Sequence, residues 1–417
     1  MNQTKNFYTD DFIREIPKTD LHLHLDGSLR ISSLIDMAKS SNVELPSYTE
    51  EGLRELVFKD QYNNLGEYLH GFMYTCAVLR SVENLERCAY ELAIDNQNDG
   101  VRYIEVRFAP QLLVDNVDLT MEVVLDHVNK GLSRARSEFN QREGVKNGDE
   151  PPFEYGIIAC AMRMFGASNF SPYYTKFYSL HRYSEPMEVI KLGAVELAKA
   201  VVKIRNERGI PIVGFDLAGR EDGYPAEEFK EAYAYVHKNF MHKTVHAGEA
   251  YGAESIFQAI TELYADRLGH CYYLFDTNRI QDPQIKDRQD YVEKLVSFIA
   301  EKRATIEVCL TSNLQTNTNL KCIKDHTLKK MLEKRLSVSI CTDNRLMSNT
   351  SISKETKLAL DNFNITPDVL KNITIYGFKR SFYPGQYNEK RRYVRQIMSY
   401  YDLVAKKFNI KNDTNKF

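Results

Sequence analysis

The feature that most constrains this chain is a short unit repeated in order along it. An apolar or β-branched run ends in polar residues and is, in most cases, followed by a segment with helical spacing of its apolar positions. The runs are Thr19 to Asp26, Val101 to Pro110, Tyr155 to Arg163, Pro211 to Gly219, Lys243 to Glu249, Arg267 to Cys271, Thr305 to Asn313 and Val338 to Asn344. Strand then helix, eight times over, predicts a closed parallel (β/α)8 TIM barrel, with a doubly wound open sheet as the alternative. In a barrel the chemistry sits at the C-terminal strand ends. Here the clusters HLHLDG, EVRFAPQ, DLAG, HAGE, LGHC, TSN and TDN close the runs.

The connection from Ser28 to Gly100 is far longer than one crossover helix needs, so it predicts extra helices inserted after the first strand. Within it, residues 65–90 combine helical spacing with many aromatics, and they read equally as a lid over the barrel mouth or as an extra packed helix. Residues 140–152 are polar and rich in breakers, which predicts a surface loop. Residues 407–417 read as a frayed tail. With no internal repeat of residues, low-complexity tract or interdomain linker, residues 1–417 are expected to form one hydrolase barrel domain.

Of the 417 residues, 43% are hydrophobic and 27% charged, the profile of a globular protein that can bury a large core. A formal charge of −2 gives no electrostatic footprint for nucleic acid, so a free small molecule is the expected partner. Charges run through the first thirty residues without an apolar stretch, which predicts neither a signal peptide nor a membrane anchor and a cytoplasmic location. The seven cysteines form no C-x-x-C pair and read as reduced, mostly core-packing thiols. Oligomeric state is not legible.

The chemistry begins at Asp20-Leu-His-Leu-His-Leu-Asp26, where polar residues occupy every second position and so share one face of a strand. The leucines then face the helices, and His22 and His24 can chelate one ion from one strand end. A lone histidine is more often structural than a ligand; two at this spacing, flanked by carboxylates, favour a metal. Thr244-Val-His246-Ala-Gly-Glu249, Arg267-Leu-Gly-His270 and Ile340-Cys-Thr-Asp343-Asn344 each read, alone, as ordinary polar strand ends. Together they bring nitrogen and oxygen donors to one barrel mouth, a donor set that suits zinc better than magnesium or calcium, while iron and cobalt could use the same ligands.

In this order HLHLDGSL, YIEVRFAP, FDLAG, TVHAGE, DRLGH, CLTSN and CTDNRLMSNTS resemble the motifs of the adenosine deaminase family of metal-dependent amidohydrolases, from about Pro17 to about Phe382. The resemblance implies one zinc ion per chain on His22, His24, His246 and Asp343. It implies that Glu249 gives a proton to purine nitrogen 1 and that His270 orients and stabilises the zinc-bound hydroxide. It further implies that Gly219 contacts nitrogen 3, Asp26 the ribose 5′-hydroxyl and residue 344 nitrogen 7. Zinc lowers the pKa of water from about 15.7 toward about 7, Asp343 is placed as a base, and the adduct at carbon 6 expels ammonia.

Two departures bear on this. Asn344 and Arg345 stand where many members have aspartate and proline, and an Asn amide can donate to nitrogen 7 directly. Cys271 stands where Gly is usual. The fourth run ends in Asp216-Leu-Ala-Gly219 without the lysine that bridges two metals in other amidohydrolases, so a single-metal site is expected. The leading expectation is hydrolytic deamination of adenosine and 2′-deoxyadenosine in purine salvage. The alternatives are an aminopurine deaminase for adenine, methylthioadenosine or aminofutalosine, and an inactive purine-binding zinc protein. Asp26 disfavours a 5′-phosphorylated substrate by charge repulsion. The H-x-E and P-C-x-x-C pattern of base-editing deaminases is absent.

Overall fold

Each apolar run forms a strand, because residues flanked by helices on one side and barrel interior on the other can be apolar on both faces. The computed structural model describes residues 8–63, 65–115, 118–167, 170–317 and 319–411. Its strands are β1 (Lys18–His24), β2 (Val101–Phe108), β3 (Glu154–Met162) and β4 (Ile212–Ala218). They continue as β5 (His242–Ala247), β6 (Arg267–His270), β7 (Thr305–Val308) and β8 (Val338–Ile340). The sheet order is sequential, β1 to β8, and every neighbouring pair is parallel. That order excludes the doubly wound sheet, in which the direction of winding reverses.

Closure of the barrel involves the expected site residues themselves. Beyond β8 the chain meets β1 through one bridge, Leu23 with Asp343. There the His24 N–H donates to the Asp343 carbonyl and the Asp343 N–H to the His22 carbonyl, both at 2.8 Å. Asp20 accepts from the Thr342 N–H at 3.2 Å and the Thr342 hydroxyl at 2.5 Å, pinning the same seam. The alternation in β1 is as expected: Asp20 and His22 are fully buried, and Leu21 joins an apolar cluster with Ile375, Phe378 and Ile397 from the surrounding helices.

Two elements differ from the sequence reading. The run Thr305 to Asn313 is not one strand: β7 stops at Val308 and Leu310–Thr316 is helical, so Ser312 and Asn313 reach the mouth from a helix. Residues 65–90 are not one lid helix either. They fall into Leu65–His70, Phe72–Val78 and the start of Val82–Asn98, the last capped by the Ser81 hydroxyl, which accepts the Asn84 N–H at 3.1 Å. Val82–Asn98 packs on β2 and on helix Met121–Asn140 through residues such as Leu85, Ala89 and Leu92, the ordinary position of a barrel helix.

The earlier part of the insertion instead rests on the loop after β8. Arg54 donates to the Leu346 carbonyl at 3.0 Å, and Tyr62 to that of Met347 at 3.2 Å. Residues 140–152 contain one helical turn, Glu143–Lys146, and residues 412–417 of the expected tail lie outside the described residues. All seven cysteines are free, and all but Cys322 are buried. Among the described residues no helix is long and apolar enough to cross a membrane.

Candidate active site

Four strand ends converge on one point. His22 and His24 come from β1, His246 from β5, His270 from β6, and Asp343 from the loop that closes the barrel after β8. One ligand atom from each of His22, His246, His270 and Asp343 lies within 4.8 Å of the others. His24 Nε2 stands 3.4 Å from both Asp343 Oδ1 and His246 Nε2, so all five side chains face the same space. The structure thus gathers every metal ligand expected from sequence, with His270 beside them.

The far side of these rings explains which atoms are free. His22 Nδ1 lies 2.8 Å from Glu307 Oε2, and His246 Nδ1 lies 3.0 Å from Asp216 Oδ2. A carboxylate can only accept there, so each ring donates from Nδ1 and turns the lone pair of Nε2 inward, the arrangement that prepares a histidine to bind a metal. His22 Nε2 is buried without a hydrogen-bond partner among the described residues and stands 3.4 Å from Asp343 Oδ1. An orphaned buried acceptor opposite a carboxylate costs free energy unless something cationic sits between them. The residues present therefore fit a metal ion.

Ser312 donates to Asp343 Oδ2 at 2.6 Å, which leaves Oδ1 for the centre. Burial opposes ionisation of Asp343, but the nearby His22, His24 and His270 imidazoles hold its carboxyl well below the usual carboxylate range. Burial pushes His24 well below the ordinary imidazole value.

Under this floor lies a charged layer that the sequence reading did not assign. Arg107 of β2, fully buried, donates to Asp216 Oδ2 and Glu307 Oε2, each at 2.8 Å, and so joins the carboxylates behind His246 and His22. Glu307 Oε1 also accepts from Arg267 Nε at 2.7 Å and Thr244 Oγ1 at 3.0 Å. Despite burial, the two arginines keep the Glu307 carboxyl well below its usual value, so it stays ionised. The visible signal was charge inside an apolar strand: Glu105 and Arg107 in VRYIEVRF, and Glu307 in TIEV.

Glu249 sits on the turn after β5, with its Oε1 4.0 Å from His270 Nε2. Its turn is held by another unassigned residue, the buried Glu221. That carboxylate accepts the N–H groups of Gly248, Glu249 and Tyr251 at 3.0 Å and of Ala250 at 2.7 Å, and the Ser255 hydroxyl at 2.5 Å.

The residues expected to meet substrate lie at the rim. Asp26 is buried, its Oδ1 has no hydrogen-bond partner among the described residues, and burial pushes its carboxyl up to about 7. Asn344 donates from Nδ2 to the Tyr68 hydroxyl at 2.9 Å, while its Oδ1 is buried and unpartnered among the described residues. Gly27 makes room for it, since a Cβ there would fall 1.8 Å from Asn344 Oδ1. Gly219 follows β4 with φ +95°, a conformation only glycine takes readily, which turns its backbone at the strand end. His270, Cys271 and Asp343 also have positive φ, of +64°, +50° and +63°. Side chains held there cost about 1–2 kcal/mol each, which gives a physical reason for a glycine at position 271.

Comparison with known proteins adds the identity of the group. The adenosine deaminase family model matches residues 17–400.

The chain belongs to the adenosine deaminase family.

Among curated members, a probable adenosine deaminase of Dictyostelium discoideum is 32% identical over 375 residues, 90% of this chain but 41% of that protein. An adenosine deaminase of Mycobacterium marinum is 33% identical over 378 residues, 90% of this chain and 92% of the relative. Among solved structures, an amidohydrolase from Burkhoderia ambifaria with bound Zn superposes with TM-score 0.75 at 18% identity, covering 99% of this chain and 97% of the other. An arabidopsis N6-mAMP deaminase gives TM-score 0.70 at 21% identity, covering 93% and 99%. At those identities the structures speak for a shared fold.

Proposed function

We propose that this chain hydrolyses adenosine and 2′-deoxyadenosine to inosine and 2′-deoxyinosine plus ammonia, in purine salvage, with one zinc ion held by His22, His24, His246 and Asp343. The observation that carries this reading is the partnerless His22 Nε2, aimed at Asp343 by the Glu307 hydrogen bond on the other ring nitrogen. Three imidazole nitrogens and one carboxylate oxygen are a zinc set that leaves room for water. Zinc, when bound, lowers the pKa of water toward about 7 and so supplies a nucleophile at neutral pH.

The remaining work falls to this chain's own side chains. Asp343, with Oδ1 facing the centre and Oδ2 held by Ser312, is placed as the base for the attacking water. Glu249 delivers a proton to purine nitrogen 1 as negative charge develops on the ring. His270, 4.0 Å from Glu249, orients the water. The Gly219 N–H meets nitrogen 3, and the second hydrogen of the Asn344 amide, the first being used by Tyr68, meets nitrogen 7. Asp26 receives the ribose 5′-hydroxyl on its unpartnered oxygen.

A panel of adenosine, 2′-deoxyadenosine, adenine, methylthioadenosine, aminofutalosine and a 5′-phosphorylated adenosine, followed by ammonia release from zinc-loaded protein, tests this. The two nucleosides are expected to turn over fastest. Faster release from any other member reassigns the substrate, and none from any member leaves a zinc protein that is not a deaminase.

A further inference from the structure

Four histidines surround the metal space, and the outer nitrogens of three of them, His22, His246 and His270, are wired in two ways. Behind His22 and His246 stand carboxylates, which accept. Behind His270 stands an amide: Asn313 Nδ2 lies 3.2 Å from His270 Nδ1. Which end of that amide faces His270 is decided further back. Asn313 Oδ1 lies 3.1 Å from His326 Nε2, and His326 Nδ1 accepts the backbone N–H of Leu328 at 3.0 Å.

The chain of hydrogen bonds has one unambiguous end. A backbone N–H can only donate, so His326 Nδ1 is an acceptor and its proton lies on Nε2. His326 is nearly fully buried, and burial, with His270 nearby, holds its imidazole down at about 3, so it stays neutral. Its Nε2–H then requires an oxygen, which fixes Asn313 Oδ1 toward His326 and the amide N–H toward His270. His270 Nδ1 must therefore accept, and that ring carries its hydrogen on Nε2, the nitrogen that faces Glu249.

We propose that Asn313 and His326 are positioning residues that hold His270 as its Nε2–H tautomer, so that it meets the site as a hydrogen-bond donor and cannot serve as a metal ligand. This rests on the deaminase reading for its functional meaning, though not for its geometry. It resolves an ambiguity of distance alone, since the most compact donor set holds His270 and omits His24. A nitrogen that carries hydrogen has no lone pair for a metal, which returns the fourth place to His24. It also gives His270 the polarity required to bind the oxygen of an attacking water.

Asn313→Asp is the decisive variant because it keeps shape and reverses polarity. The new carboxylate still accepts from His326, but it also accepts from His270 and pulls that hydrogen to Nδ1. The test is the ring 15N spectrum of histidine-labelled, zinc-loaded protein, with the His270 signals assigned by their loss in His270→Gln. Wild type is expected to show the Nε2–H tautomer and Asn313→Asp the Nδ1–H tautomer. In Asn313→Asp, kcat for the best aminopurine is expected to fall about 100-fold, within the range for a positioned proton donor, with KM changed less than about threefold.

If Asn313→Asp does not fold, His326→Leu removes the donor that orients the amide and is expected to give mixed His270 tautomers. An Nδ1–H or doubly protonated His270 in wild type overturns the proposal. So does an Asn313→Asp, or in its place a His326→Leu, with the wild-type tautomer. A wild type inactive on every aminopurine would overturn the deaminase reading instead, and the spectrum would still decide the tautomer.

Discussion

The floor and the rim of the barrel mouth are built on opposite principles. At the floor, His22 and His246 come from strands, their outer nitrogens are tied to Glu307 and Asp216, and Arg107 joins both carboxylates beneath. At the rim, Asp26 and Asn344 stand on turns, each with a buried oxygen that has no hydrogen-bond partner among the described residues. A metal site gains from rigidity, because ligands fixed in advance need no further ordering when the ion binds. A substrate site gains from unsatisfied polar atoms, because a ligand that completes them is rewarded and one that cannot is rejected. On the proposed function, damage in each region has separate consequences: metal and stability at the floor, affinity for substrate at the rim, and turnover alone between them.

The largest effect is expected between the two. Glu249→Gln removes a proton donor and leaves both regions intact, so kcat should fall by about 10²–10⁴ with zinc content unchanged by elemental analysis. Lost zinc in that variant would mean that Glu249 supports the floor. Next comes Glu307→Gln, which leaves Arg107 and Arg267 facing a neutral partner in the interior. Breaking such a buried pair costs about 3–5 kcal/mol, to be read from chemical or thermal unfolding. Native-like stability would show that the charged layer is not coupled to the fold.

Asp216→Asn is a finer test of the floor. A competition titration against a chelator should show zinc affinity reduced by about 10–100-fold, the usual cost of losing a carboxylate behind a metal-binding histidine. Smallest is Tyr68→Phe at the rim, which releases the Asn344 amide from its hydrogen-bond partner. The loss of one hydrogen bond, about 1 kcal/mol, predicts KM raised about fivefold with kcat and zinc content unchanged. A fall in zinc content there would erase the distinction between the regions.

The convergence of the floor's side chains was legible and their supports were not, for a physical reason. Period-two alternation places His22 and His24 on one face from sequence alone, whereas Glu307 meets His22 only because strands distant in sequence curve into one barrel. Charges buried in VRYIEVRF and TIEV signalled that something interior had to neutralise them, but not which partner. The helix bearing Ser312 and Asn313 was read as a strand end because β7 is only four residues long and polar residues follow it closely. His326 carried no local signal, since its importance lies wholly in contacts with Leu328 and Asn313. The insertion's helices followed from its length, but its seat on the loop after β8 depends on contacts such as Tyr62 with Met347.

The most direct test is to strip the protein of metal, add zinc back in steps, and follow ammonia release from adenosine. Activity absent from the stripped chain, rising in proportion to zinc and saturating at one ion per chain, is the predicted result. Full activity without metal, saturation only at two ions, or no ammonia at any loading would contradict a single zinc centre built on His22, His24, His246 and Asp343.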